Sequence, residues 1–230
     1  MLTEEKLTKL YCDSMGAGAV SEKVNPGVMA LISCCEYYEA VLQKAIARGE
    51  KWVYTNSNEY APQATSFDEM VASGRRGANC AMLSNWAFMD IGLMPVGARF
   101  WGGVNCDFVR YENIKDYIDA ACEVTHYPEG VPFAKLLEVG EVKAGDVFLA
   151  KGHTFIYRGD NSFYASGHDT LCHSDPTAPT EDRTHGVFDS FIVPLEKSGN
   201  RHCTAYFRIR VKDSFEPKFY RGKDGELREL

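Results

Sequence analysis

Two residues in this 230-residue chain have the types and settings needed to break an amide bond: a cysteine at a helix start and a histidine at a strand start. Cys80 follows Asn79 in the run Arg75-Arg76-Gly77-Ala78-Asn79-Cys80-Ala81-Met82-Leu83-Ser84-Asn85-Trp86-Ala87-Phe88. Asn is among the best helix N-caps, because its side chain accepts a bond from an amide with no partner inside the helix. Met82, Trp86 and Met89 recur at i, i+4 and i+7, with Leu83 and Ala87 widening the stripe. That rhythm predicts a helix facing a core over most of its surface. Cys80 then sits in the first turn, where aligned peptide dipoles place partial positive charge. The field favours thiolate and predicts a thiol pKa below the ordinary value of about 8.5. The competing reading is a small packing residue, since unoxidised cysteine suits cores.

A thiol becomes a catalyst when a base reaches it. His126 precedes Pro128 in a segment that reads as a helix end with a surface role, and His173, His185 and His202 fall in loops. His153 differs, because Gly152 precedes it and the apolar run Phe155-Ile156-Tyr157 anchors the strand that it opens. The competing reading there is a half-buried strand histidine. His168, Cys172 and His173 lie within six positions, with His185, His202 and Cys203 further on, and imidazole with thiolate is a zinc donor set. The spacing fits no familiar finger, so a structural zinc site is the lesser alternative. The expected metal and cofactor content is none.

The elements that must hold these residues come in two blocks. A helix is predicted from Val28 to Arg48, stopped by Gly49, and Trp52-Val53-Tyr54 reads as a short strand. One or two helical turns over Phe67 to Ser73 precede the Cys80 helix, which ends near Gly92. A further helix is predicted from Glu112 to Val124, then a break at Pro128 to Pro132 and a last helical turn over Phe133 to Leu137. From Val142 the period changes. Val147 to Ala150, His153 to Tyr157, Ser162 to Ala165, Val187 to Pro194 and Thr204 to Val211 read as strands joined by turns. Helices first and an antiparallel meander second is an α+β pattern. The last nineteen residues are highly charged and read as a surface tail with little part in the core.

A formal charge of −7 without a basic stripe argues against nucleic acid as a partner. The polar, acid-bearing start from Met1 to Leu10 is no signal peptide, and no apolar run reaches the length of a membrane span. Eight cysteines without CxxC pairs read as reduced thiols of a chain made in the cytoplasm.

The order of these motifs resembles the NlpC-type branch of the papain-like cysteine peptidases, which cut bacterial cell-wall peptides. The matching residues are Trp52-Val53-Tyr54, then Asn79-Cys80-Ala81-Met82-Leu83 with Trp86-Ala87-Phe88. Downstream they are Ala144-Gly145-Asp146-Val147-Phe148, Gly152-His153-Thr154-Phe155-Ile156-Tyr157-Arg158-Gly159 and Asn161, so that the likeness covers about residues 28–166. It implies a papain-like fold, Cys80 as nucleophile, and His153 as the base that also protonates the leaving amine. It further implies that Tyr54 stands near the sulfur and helps first-turn amides hold the oxyanion. Asn79 replaces the Asp usual before the cysteine and keeps the capping oxygen. The family places a polar residue about twelve positions after the base to orient it. Here that count lands on Ala165, flanked by Tyr164 and Ser166, with His168 and Asp169 just beyond, and His168 is the favoured candidate.

The resulting expectation is an N-terminal extension over 1–27, a papain-like catalytic domain over 28–211 and a charged tail over 212–230. Its activity would be thiol hydrolysis of amide bonds in peptidoglycan peptides, with specificity set by the loops 55–73, 96–106 and 170–186. Such an enzyme would reach its peptide substrate through lysis, a secretion device or a phage particle, and no membrane or nucleic-acid partner is expected. The sequence leaves the oligomeric state open. The alternatives are a catalytically impaired relative that binds virion or wall, and a zinc-binding structural protein.

Overall fold

Asn25 and Pro26 open the first helix as their chemistry dictates. In the computed structural model, which describes residues 25–55, 66–98, 114–150, 153–159, 161–166, 184–195, 203–222 and 224–229, the Asn25 side chain accepts from the Val28 amide at 3.0 Å. Pro26, with no N–H to satisfy, takes the first helical position. This helix, α1 (Pro26–Ala47), buries Leu31, Cys34, Cys35, Tyr38, Leu42 and Ala45 along one stripe. The chain then runs through β1 (Trp52–Thr55), α2 (Phe67–Ala72), β2 (Gly77–Ala78), α3 (Cys80–Asp90) and α4 (Ile114–Ala121). Next come β3 (Cys122–Pro132), α5 (Phe133–Glu138), β4 (Val147–Ala150), β5 (His153–Gly159) and β6 (Ser162–Tyr164). The described elements end with β7 (Thr184–Phe188), β8 (Ile192–Pro194), β9 (Thr204–Val211), β10 (Phe219–Arg221) and β11 (Leu227–Glu229).

The main sheet has six antiparallel strands in the order β3-β9-β4-β5-β6-β8, with helices packed on it, so the molecule is a mixed α+β structure. Strand alternation divides its side chains between two apolar clusters. Val147, Leu149, Ile156, Tyr164 and Ile209 join the cluster built with α1 and α3. Phe148, Phe155, Phe163 and Ala205 face the other way, onto Phe133 and Leu136 of α5. Phe133 is the hub there, with ring centroids 5.0 Å from Phe148, 5.3 Å from Phe155 and 5.1 Å from Phe163. The turn into β4 is tied down from both sides. Gly145 has φ +85°, and a Cβ on it would meet Val28 at 2.6 Å. Asp146 accepts from the Lys143 amide at 2.8 Å and from Arg210 of β9 at 2.7 and 2.6 Å.

A second, three-stranded sheet carries β1 in its middle, in the order β2-β1-β7. β1 runs parallel to β2, with Val53 opposite Gly77 and Tyr54 opposite Ala78. It runs antiparallel to β7, so His185, read from sequence as a loop residue, lies in a strand.

Two regions depart from expectation. The helix predicted to reach Val124 stops at Ala121, and residues 122–132 form one strand paired with β9. Pro128 does not break it, because β3 is a sheet edge and the proline falls where the register shifts between His126 and Val131. At such a place a missing N–H costs no ladder bond. His126 accordingly lies in a strand, its ring stacked on Phe207 at 4.4 Å. The predicted tail is also more than surface. β10 and β11 pair as a hairpin, Tyr220 and Arg221 are buried, and the Ser33 hydroxyl donates to the Arg221 carbonyl. No helix among the described residues is long and apolar enough to cross a membrane.

Candidate active site

Helix α3 begins at Cys80 because Asn79 stops the preceding strand and caps the new helix. The Asn79 side chain accepts from the Met82 amide at 3.0 Å, a bond worth about 1 kcal/mol at an N-cap. Beyond this cap the helix departs from the predicted stripe: all eleven residues are buried, including the polar Ser84, Asn85 and Asp90. A helix buried all round sits inside the fold, so its first turn cannot shift without moving the core. The approach to it is held as well. The Arg76 carbonyl accepts from the Val53 amide at 3.0 Å. The Arg76 guanidinium pairs with Glu50 and donates to the Val71 carbonyl at 2.9 Å.

The β1–β2 ladder then decides what meets the sulfur. With Tyr54 opposite Ala78, two residues before Cys80, the Tyr54 hydroxyl comes to 3.5 Å from Cys80 Sγ and donates to it. Both side chains are buried, Cys80 at 7% exposure and Tyr54 at 3%. The backbone amides of Thr154, Ala81 and Cys80 itself also favour charge on the sulfur. Two of these amides belong to the first turn of α3 and the third to β5, so the thiol lies at the seam between the helix start and the main sheet.

These donors work against burial and do not overcome it. Burial pushes the Cys80 thiol above its ordinary value, while the Tyr54 hydroxyl and the three amides pull it back. The lowered thiol expected from the helix field is therefore corrected: a helix N-terminus favours thiolate, but the cost of placing charge among buried apolar side chains is larger.

His153 opens β5 and is 3% exposed. It pairs across the ladder with Ala150, and its ring packs on Phe155 with centroids 5.6 Å apart. The residue beside it, Thr154, is the one whose amide reaches Cys80. The structure thus joins Cys80 and Tyr54 side chain to side chain, and joins Cys80 to the His153 strand through the next amide along. His168 lies outside the described residues, as do Asp169, Cys172, His173 and most of the loop before β7. Ala165 is buried within the α5 cluster, and Ser166 is fully buried.

Two participants escaped the sequence. Thr154 enters through its backbone, which no side-chain pattern signals. Cys203, just ahead of β9, has its thiol pushed up to about 11 by burial and then by the charge of Cys80, which puts the two thiols within electrostatic reach. Its 123-residue separation from Cys80 hides that proximity. Cys34, Cys35, Cys80, Cys122 and Cys203 are all reduced thiols. Among the described residues no group of three or more His, Cys, Asp or Glu side chains is placed to hold a metal ion. No family model, no curated protein and no solved structure matches the chain.

Proposed function

We propose that this chain is a thiol hydrolase of papain-like, NlpC-type architecture that cuts amide bonds in bacterial peptidoglycan peptides. The observation that carries the reading is the convergence on one sulfur of a helix N-terminus, the Tyr54 hydroxyl and the amide next to His153. A packing cysteine has no need of a phenol donor and a helix N-terminus at its sulfur.

In this reading the resting nucleophile is a neutral thiol. As Cys80 Sγ attacks the scissile carbonyl carbon, His153 takes the thiol proton, and later gives it to the departing amine nitrogen. The carbonyl oxygen becomes an oxyanion held by the Tyr54 hydroxyl and the first-turn amides. The thioester left on Cys80 is opened by water, which His153 deprotonates, and the free carboxylic acid leaves. Raising the thiol above its ordinary value suits this order, because charge then appears on sulfur only as the base accepts the proton. His168 is the proposed group that orients the His153 ring.

The test is hydrolysis of peptidoglycan peptides by the purified chain, read by mass spectrometry. Cys80→Ala should lower the rate about a thousandfold or more and leave the melting temperature within a few degrees, since alanine suits a first helical turn. Full activity in Cys80→Ala would discard the reading. A second reading, a wall-binding module without chemistry, is favoured by the 7% exposure of Cys80. It predicts that the unaltered chain sediments with peptidoglycan and releases no peptide.

A further inference from the structure

Thr154 brings more to the sulfur than its amide. Its side chain is fully buried, and among the described residues Oγ1 has no hydrogen-bond partner. Alternation along β5 sets Thr154 on the face it shares with Ile156, the face covered by α3. Covalent geometry keeps Oγ1 within about 4 Å of the nitrogen of its own residue. That nitrogen is one of the amides that favour charge on Cys80 Sγ. An uncommitted O–H therefore stands on the residue whose amide acts on the thiol and on the face covered by the helix that carries it, in a place where an unmade hydrogen bond is costly. Ser84 and Ser166 are also buried with hydroxyls unpartnered among the described residues, but of the three it is Thr154 whose amide favours charge on the sulfur.

We propose that Thr154 holds the nucleophile in its charged form: when Cys80 loses its proton, the Thr154 hydroxyl turns onto the thiolate and adds a second donor to the one its amide supplies. The Cys80 proton goes to the base and the threonine keeps its own, so the step moves one proton and adds one O–H···S bond. A hydrogen bond to a charged group is stronger than one to a neutral group, so this donor favours thiolate over thiol. The inference rests on the thiol-hydrolase reading only in using the Cys80 thiolate. Among the described residues, the titratable groups that act on that sulfur are Tyr54 on β1 and Cys203 ahead of β9, and His153 is the residue before Thr154 on β5.

The experiment is the pH profile of Cys80 alkylation by iodoacetamide on the full chain, read by peptide mass spectrometry. Thr154→Val keeps the amide and the shape and removes the hydroxyl. It should move the midpoint of the profile up by about one pH unit and slow labelling about tenfold at neutral pH. Thr154→Ser should restore the original profile, which a packing role would not do. An unchanged midpoint in Thr154→Val, with a raised melting temperature, is the signature of an idle hydroxyl replaced by a methyl and would overturn the proposal. Should the valine variant not fold, Thr154→Ala carries the same expected shift and the same refutation. Labelling is read whether or not any peptide is cut. Absent hydrolysis by the unaltered chain therefore counts against the proposed function alone, and an unmoved profile against this inference alone.

Discussion

The two ends of helix α3 are both buried and are held by opposite means. At its start, Cys80 meets neutral groups: the Tyr54 hydroxyl donates to it, and nearby backbone amides favour charge on it. At its end, Asp90 is locked by charge. The Asp90 carboxylate accepts from the Tyr38 hydroxyl at 2.6 Å and from Arg221 at 2.7 and 3.0 Å. Arg221 in turn reaches Asp68 of α2 at 2.8 Å and lies over the Tyr37 ring at 4.4 Å. One cation from the C-terminal hairpin thus fastens α1, α2 and α3 together. A fixed ion pair at the sulfur would commit the thiol to one protonation state, whereas neutral donors leave the proton movable. Among the described residues, the Asp90 end carries the charge and the Cys80 end is held by neutral donors.

Breaking the scaffold end should give the largest effect. Arg221→Met leaves Asp90 as a buried charge without its cation, and such losses cost about 3–5 kcal/mol. Chemical denaturation should show a loss of that size, while any remaining folded protein keeps the Cys80 labelling profile of the parent. A shifted profile at unchanged stability would mean that the two ends are not separate devices.

Alkaline pH should bear on the thiols as a set. Burial raises Cys34, Cys35 and Cys80, and pushes Cys122 up to about 12. Above the ordinary thiol value the unfolded chain gives up protons that the folded chain retains. Stability conferred by these groups is therefore complete below about pH 8.5 and is lost as pH rises toward the folded values. Each such thiol adds roughly 1.4 kcal/mol of loss per pH unit in that window. Urea midpoints measured from about pH 8 to 10 should fall, and Cys122→Ala should make the fall shallower. A flat profile would contradict the burial of these thiols.

The smallest effect sharpens the reactive end. Tyr54→Phe removes one neutral donor and keeps the ring, so the Cys80 thiol should rise further. Its alkylation midpoint is expected to move up by about one unit or less. A downward shift would show that the phenol opposes the thiolate.

How much of this was legible depends on how local each cause is. The α1 cap at Asn25-Pro26, the Asn79 cap before Cys80 and the alternation of Thr204 to Val211 act over one turn or one strand, and the sequence carries them openly. β3 was hidden, because Pro128 and Gly130 look like punctuation until β9, some eighty residues on, supplies a ladder that bypasses them at a bulge. Arg221 was hidden in the same way. Among the charged residues after Val211 it looks solvated, and only Asp90, 131 positions earlier, makes its burial tolerable. At the site, the helix field on Cys80 could be read from residue types, but the burial that outweighs it depends on the core that closes over the helix start.

The parallel register of β1 and β2 has a consequence for how this chain can diversify. Tyr54 and Cys80 owe their spacing to a ladder in which Tyr54 faces Ala78, and not to the stretch of chain that runs between them. The part of that stretch between Thr55 and Ser66 can therefore be exchanged, lengthened or shortened at little cost to the geometry, as long as β1 and the buried Phe67 and Met70 of α2 keep their places, since closing a longer connection adds only about 0.6 kcal/mol per doubling of its length. Grafting foreign segments between Thr55 and Ser66 is a route to libraries in which the Cys80 sulfur and its phenol stay where they are.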